Sequence, residues 1–250
     1  MQLPVYFVRA FTDSVFGGNP AAVCPLNAWL PDTLMQAIAT ENAVAETVFV
    51  VPEENFAAEG RFHIRWFTPE IEMDLCGHAT LAAAHVLYRN NRALPDELVF
   101  ASASGPLGVT KNRLGTDRYT LDFPARPPHS CTTLPAHLLD SFAQQPLEIL
   151  QSRDIVLVYP DEASVRALNP DEMQLKQFNL DPGGIVATAP GDQVDFVSRF
   201  FTPGASVFED PVTGSAHCTL VSYWSARLGK RLYLPARYLL GGVSWNAGLL

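Results

Sequence analysis

The chain is poor in the features that mark metal, membrane and nucleic-acid proteins. Its cysteines, Cys24, Cys76, Cys131 and Cys218, are scattered with no C-x-x-C pair. That spacing argues against a zinc site or a redox dithiol, so no metal and no cofactor are expected. No apolar run approaches the roughly 18 residues that a membrane-spanning helix requires. The best, Ala79 to Leu87, is interrupted by Thr80 and His85. Basic side chains number 17 against 26 acidic ones, a formal net charge of -9. A surface that repels phosphate overall makes a poor nucleic-acid partner. Met1-Gln2-Leu3-Pro4 lacks the basic start and apolar stretch of a secretory signal, so a cytoplasmic address is the expectation.

What is present is apolar. Of 250 residues, 48% are hydrophobic and 17% charged, the composition of a packed globular protein rather than a disordered one. The length suits one large domain or two of ordinary size. Val5 to Val8 reads as an opening strand, and Gly17-Gly18-Asn19-Pro20 is turn chemistry before a second apolar run, Ala21 to Cys24. Pro31 opens a helix that should stop near Asn42, because proline suits a first turn whose N–H groups have no partner. Thr47 to Val51 and Arg61 to Phe67 read as strands, and Ala79 to Tyr88 as a helix buried on nearly every side. Pro124 to Pro135 is the best linker, which sets domains of residues 1–123 and 124–250. Beyond it come strands at Ile155 to Tyr159, Ile185 to Ala189 and Asp195 to Phe201, with short helices between.

The halves repeat a pattern. Phe67-Thr68-Pro69 precedes Gly77-His78-Ala79 and an apolar helix, and Phe201-Thr202-Pro203 precedes Gly214-Ser215-Ala216 and another. Strand, loop, glycine and buried helix thus occur twice, and a duplicated αβ unit with pseudo-twofold symmetry is the economical reading. Each repeat sets small residues at the start of a buried helix, where backbone N–H groups and the helix dipole attract an anion. The plainer alternative is that Gly77 and Gly214 allow tight turns, with Thr80 and Ser215 satisfying donors at the helix start. Ionisable residues beside both turns favour a site: Glu72, Asp74 and His78 in one, Glu209, Asp210 and His217 in the other.

Glu46 lies among apolar neighbours at a helix-to-strand junction, Asn42 to Phe49. Partial desolvation there is the setting in which a carboxylate both takes and returns a proton. Cys76, beside His78, is a candidate nucleophile or thiol base, since a helix amino terminus lowers a thiol's pKa. Buried cysteines are more often inert packing, and His85 and His217 on apolar helices suit satisfied core residues.

Five segments in order carry a resemblance to the PhzF-like (phenazine biosynthesis protein) family of the diaminopimelate epimerase-like fold. They are Phe16-Gly17-Gly18-Asn19-Pro20, Asn42 to Phe49, Phe67 to Glu72, Cys76 to Thr80, and Glu209 to His217. The resemblance implies an α+β chain of two similar domains, each a curved, barrel-like mixed sheet wrapped around a central helix, with an active site in the cleft between them. It implies a cofactor-independent isomerase in which Glu46 moves a proton between carbons of a small carboxylate-bearing, dihydro-hydroxyanthranilate-like substrate. By the same carry-over, His78 and Asp210 polarise the substrate, Gly77 and Ser215 hold its carboxylate or amine beside Gly214 and Cys76, and Asn19 positions it. A homodimer is implied as well. The rivals are a cysteine-dependent racemase or epimerase and a small-molecule binding protein without turnover. Tyr238 to Leu250 lacks the alternating charged strands that the family pattern leads one to expect, which suggests a frameshift or altered end.

Overall fold

The computed structural model of the chain describes residues 2–12, 16–112, 118–180, 183–204, 207–210, 213–230 and the backbone of 244–245. It forms two compact units, Met1–Pro124 and Ala125–Leu250. Apart from Ser244 and Trp245, the Tyr238 to Leu250 stretch lies outside the described residues.

The first unit is a mixed sheet in the order β1-β2-β3-β4-β6-β7-β8, with β5 paired to β4. The strands are β1 (Tyr6–Ala10), β2 (Asn19–Pro25), β3 (Glu46–Pro52), β4 (Arg61–Phe67), β5 (Glu72–Met73), β6 (Glu97–Ser102), β7 (Gly105–Lys111) and β8 (Tyr119–Asp122). Helix α1 (Asp32–Asn42) crosses between the parallel strands β2 and β3, and α2 (Gly77–Asn90) lies between β5 and β6. Helix α2 packs against β1, β2, β3 and β8. Since β1 and β8 are opposite ends of the sheet order, the sheet must curl around this helix. Its sequence suits the role: Gly77 to Ala84 are all buried, four of them alanines that let strands approach closely. The other face of the sheet packs on α1, where Met35 and Ala39 meet Cys24, Phe49, Val51 and Phe67.

The second unit has the order β14-β13-β12-β11-β10-β9, with β15 paired to β13. Its strands are β9 (His129–Ser130), β10 (Glu148–Gln151), β11 (Ile155–Val158), β12 (Ile185–Pro190), β13 (Phe196–Phe201), β14 (Glu209–Asp210) and β15 (Ser244–Trp245). Between β11 and β12 run α3 (Glu162–Ala167) and α4 (Glu172–Leu175), and α5 (Gly214–Leu228) follows β14. Strands β11 and β12 are parallel and buried on both faces, which explains their nearly continuous apolar runs. Val156, Val158 and Val186 meet Ala216, Leu220 and Trp224 of α5, while Leu157, Ile185 and Ala187 meet Val165, Leu168 and Leu175 on the other side. The proline-rich segment read as the linker also supplies edge strand β9, and the Arg126 N–H donates to the Cys218 carbonyl at 2.9 Å. An edge position tolerates nearby proline because half of the backbone groups need no ladder partner.

The repeat seen in the sequence is a repeat of topology. In each unit an antiparallel pair leads into a parallel crossover, an antiparallel hairpin and a buried helix. It extends to one salt bridge. Arg65 grips Glu72 bidentately at 2.6 and 2.7 Å, and Arg199 grips Glu209 at 2.7 and 2.7 Å. The spare guanidinium nitrogen ties each hairpin to its crossover helix, Arg65 through Asp32 at 2.8 Å and Arg199 through the Leu168 carbonyl at 2.5 Å. Such a planar fork, stacked on Phe67 or Phe201, is a geometry that lysine cannot reproduce.

Trp224 anchors α5: it is almost fully buried, stacks on Phe196 at 6.0 Å and donates Nε1–H to Thr188 Oγ1 at 3.0 Å. Trp224→Ala is expected to destabilise the protein by about 3–5 kcal/mol, the usual cost of emptying a large aromatic site. Urea unfolding measures this, and a loss below about 1 kcal/mol would show that α5 is not packed as described.

Candidate active site

In the first unit, four of the expected site residues come together. The chain enters β2 through Gly18, whose φ of 62° and lack of a side chain are both required, since a Cβ there would lie 2.1 Å from the Ala10 carbonyl oxygen. Arg9 holds the same turn by donating to the carbonyls of Gly17 and Phe16. Asn19 follows as the first residue of β2. Ala43, in the left-handed region at φ 50°, terminates α1, and Asn42 Nδ2 donates to Thr47 Oγ1 at 3.1 Å. These contacts fix the start of β3, so Glu46 lies beside Ala21 in the parallel register. The third component is the amino end of α2, with Cys76 at the N-cap and His78 in the first turn.

His78 Nε2 lies 3.0 Å from Glu46 Oε2, Nδ1 lies 3.5 Å from Cys76 Sγ, and Asn19 Nδ2 is 3.3 Å from Nδ1. His78 and Cys76 are buried, and the Glu46 side chain is 16% exposed. Although Nε2 and Oε2 are close, neither makes an aligned hydrogen bond, so two buried polar atoms face each other without completing one. An asparagine amide serves either state of the ring, giving an N–H to a bare Nδ1 or, turned over, an oxygen to Nδ1–H. Among the described residues, donor atoms of Glu46, Cys76 and His78 all lie within 4.8 Å of one another, a set that could hold a metal ion.

His78 and Cys76 are both raised above their ordinary values. Burial disfavours the imidazolium, but the neighbouring Cys76 sulfur and Glu46 carboxylate outweigh it and hold His78 well above its ordinary range. Burial and then the Glu46 charge push the Cys76 thiol up, with His78 offsetting only part. The sequence-based expectation that the helix start would lower this thiol is thereby corrected: desolvation exceeds the dipole where the sulfur is enclosed. Thr80 also differs from expectation. Its hydroxyl donates to the Cys76 carbonyl at 2.5 Å rather than satisfying a helix donor.

In the second unit, Asp210 ends β14 and its Oδ2 accepts from Thr213 Oγ1 at 2.6 Å. Thr213 is the N-cap of α5, its carbonyl accepting from His217 Nδ1 at 2.8 Å. Asp210, Thr213, His217 and Ser198 line a small recess with Val186, Phe200 and Ala216. Gly214 and buried Ser215 open the helix. Neither α2 nor α5 is capped by its N-cap side chain, which leaves their first-turn N–H groups for another acceptor. Thr213 and the two Arg–Glu clasps were missed from sequence. The signal was available in the paired R-x-F-T-P segments, each followed by a glutamate at the end of its loop.

The comparisons with known proteins now bear on this geometry. The family model for the phenazine biosynthesis-like protein, PhzC-PhzF, matches residues 8–236. The chain belongs to this family. It is 47% identical over 230 residues to a Pseudomonas aeruginosa protein named an uncharacterized isomerase, covering 92% of this chain and 85% of that one. The human phenazine biosynthesis-like domain-containing protein is 37% identical over 254 residues, covering 92% and 86%. A crystal structure of a PhzF family protein from Enterococcus faecalis superposes with a TM-score of 0.80 at 43% identity, over 98% of this chain and 91% of that one. A hydroxyproline epimerase from Agrobacterium vitis shares the fold, with a TM-score of 0.62 at 11% identity. Among the described residues, no helix is long and apolar enough to cross a membrane.

Within this PhzC-PhzF chain, His217 gives a pH signature. Burial pushes it down to about 4, partly offset by its bond to Thr213. Between about pH 6.5 and pH 4 the unfolded chain binds a proton that folded His217 refuses, so stability falls as pH drops through that window. Acidification from pH 7 to pH 5 is expected to cost the wild type about 2 kcal/mol more than His217→Gln in urea unfolding. Equal acid losses in the two proteins would contradict the assignment.

Proposed function

We propose that the chain is a cofactor-independent isomerase that moves a proton between carbons of a small carboxylate-bearing ring, with Glu46 as general acid and base. The observation that carries this reading is the close, buried approach of Glu46 Oε2 to His78 Nε2, with a thiol beside it held in its protonated form. The Glu46 carboxylate removes a carbon-bound proton, the electron pair shifts through the adjoining double bond, and Glu46, after exchange of that proton with solvent, delivers a proton to a different carbon. No net electron or atom is gained. His78, held cationic, supplies positive charge beside the carboxylate and the developing anion. Asp210 acts as the second polarising group, kept in place by Thr213. Gly77, Gly214 and Ser215 offer helix-start N–H groups to the substrate carboxylate, and Asn19 positions His78. The relatives named isomerases support the reaction class. A homodimer belongs to the same reading and rests on the family resemblance.

Two observations weigh against the cysteine racemase. The Cys76 thiol is pushed up by burial rather than activated. In the repeated topology the N-cap position that corresponds to Cys76 is Thr213, so the second thiol of a two-cysteine mechanism is lacking there.

Proton NMR in D₂O tests the proposal with dihydro-hydroxyanthranilate and a pool of amino acids, using wild type and Glu46→Gln. Deuterium entering a ring carbon with isomerisation in wild type, and a rate lower by about 10²–10⁴ in Glu46→Gln, is the expected result. Exchange at an amino-acid α-carbon that survives Glu46→Gln and is lost in Cys76→Ala would overturn it in favour of the racemase.

A further inference from the structure

The Glu46, Cys76 and His78 side chains converge more tightly than a proton shuttle demands. The register of β3 delivers a carboxylate, the N-cap of α2 a thiol and its first turn an imidazole, with one donor atom from each within 4.8 Å of the others. The sulfur and the carboxylate meet different ring nitrogens, Nδ1 and Nε2, so an ion held by all three side chains uses one of them. Oε2 and Nε2 are 3.0 Å apart and both buried, in an ion pair whose hydrogen bond is not aligned. A group that engages both atoms with aligned bonds removes that misalignment.

We propose that Glu46, Cys76 and His78 bind a zinc(II) ion that blocks the proton-transfer site. One oxygen, one nitrogen and one sulfur form the mixed donor set that suits zinc, whose bonds to these atoms run about 2.0–2.3 Å. Hard cations such as magnesium and calcium prefer oxygen ligands throughout and would be refused. Three protein ligands leave a fourth position for water or a substrate oxygen. The ion uses one ring nitrogen, so one imidazolium proton and the thiol proton both leave to the buffer as nitrogen and sulfur bind. Sequence spacing concealed this set because its members come from a strand and a helix 30 residues apart, with no C-x-x-C or H-x-x-x-H pair to announce them. Occupation ties up the carboxylate that the proposed isomerisation needs, so the inhibitory consequence rests on that reading, while the binding itself does not.

The test uses chelator-treated full-length protein titrated with cobalt(II) as a coloured stand-in, followed by zinc(II). The expected result is one cobalt per chain, with a sulfur-to-cobalt charge-transfer band that zinc abolishes and magnesium leaves intact. Cys76→Ser should lose the band, and Glu46→Gln or His78→Gln should weaken zinc binding by roughly 100-fold or more, since even partners behind a ligand are worth 10–100-fold. Circular dichroism checks that each variant is folded. For a variant that fails to fold, X-ray absorption of the zinc-loaded wild type decides instead, with one sulfur among nitrogen and oxygen neighbours expected. A shell without sulfur, the absence of the cobalt band, or zinc affinity unchanged in folded Cys76→Ser would overturn the proposal. The binding readouts are spectroscopic, so a chelated enzyme that exchanges no proton would count against the isomerase reading and leave the metal site standing. Inhibition is confirmed if zinc suppresses, and chelator restores, the exchange of the active enzyme.

Discussion

The contact between the Glu46 carboxylate and the His78 imidazole is the constraint around which the first unit is arranged. The two groups are held 3.0 Å apart with the imidazole buried, and the neighbouring Cys76 sulfur and Glu46 carboxylate together hold His78 well above its ordinary range against the cost of burial. Keeping them there takes four separate devices: the glycine turn before Asn19, the left-handed Ala43 that ends α1, the parallel register of β2 and β3, and the buried entry of α2. None of these carries chemistry. Each removes a degree of freedom from a side chain that does.

The second unit solves the same architectural problem with different chemistry. In both, an arginine–glutamate fork locks the hairpin that precedes the buried helix, and the N-cap carbonyl accepts from the side chain four residues on, Thr80 in one and His217 in the other. The N-cap side chain is turned towards an ionisable group each time: Cys76 towards His78, Thr213 towards Asp210. The two units share these clamps and differ in the residues that the clamps hold. The hydroxyproline epimerase has the same fold at 11% identity, so the fold alone does not fix the residues that it carries.

Much of this was legible in the sequence because it is written in local pattern. The parallel core strands β11 and β12 are continuous apolar runs, α2 is a small-residue helix, and the F-T-P segments mark the repeat. Glu46 and His78 were identified from their settings and from the family motif. What could not be read was anything that depends on which side chain faces which. The helix-start position of Cys76 suggested a lowered thiol, and only its enclosure beside a carboxylate reverses that direction. Proline content marked the linker but not the edge strand β9 that the segment supplies. Thr213 was invisible because a threonine before a helix reads as a cap, whereas its hydroxyl is spent on Asp210.

Nitrogen NMR of ring-labelled histidine, following the His78 signals with pH in wild type and in Glu46→Gln, shows whether the Glu46 carboxylate helps to keep the buried imidazole cationic. His78 should keep both ring protons well above the ordinary imidazole range in wild type and titrate markedly lower in the variant. A His78 that titrates in the ordinary range in both proteins would rule out the ion pair.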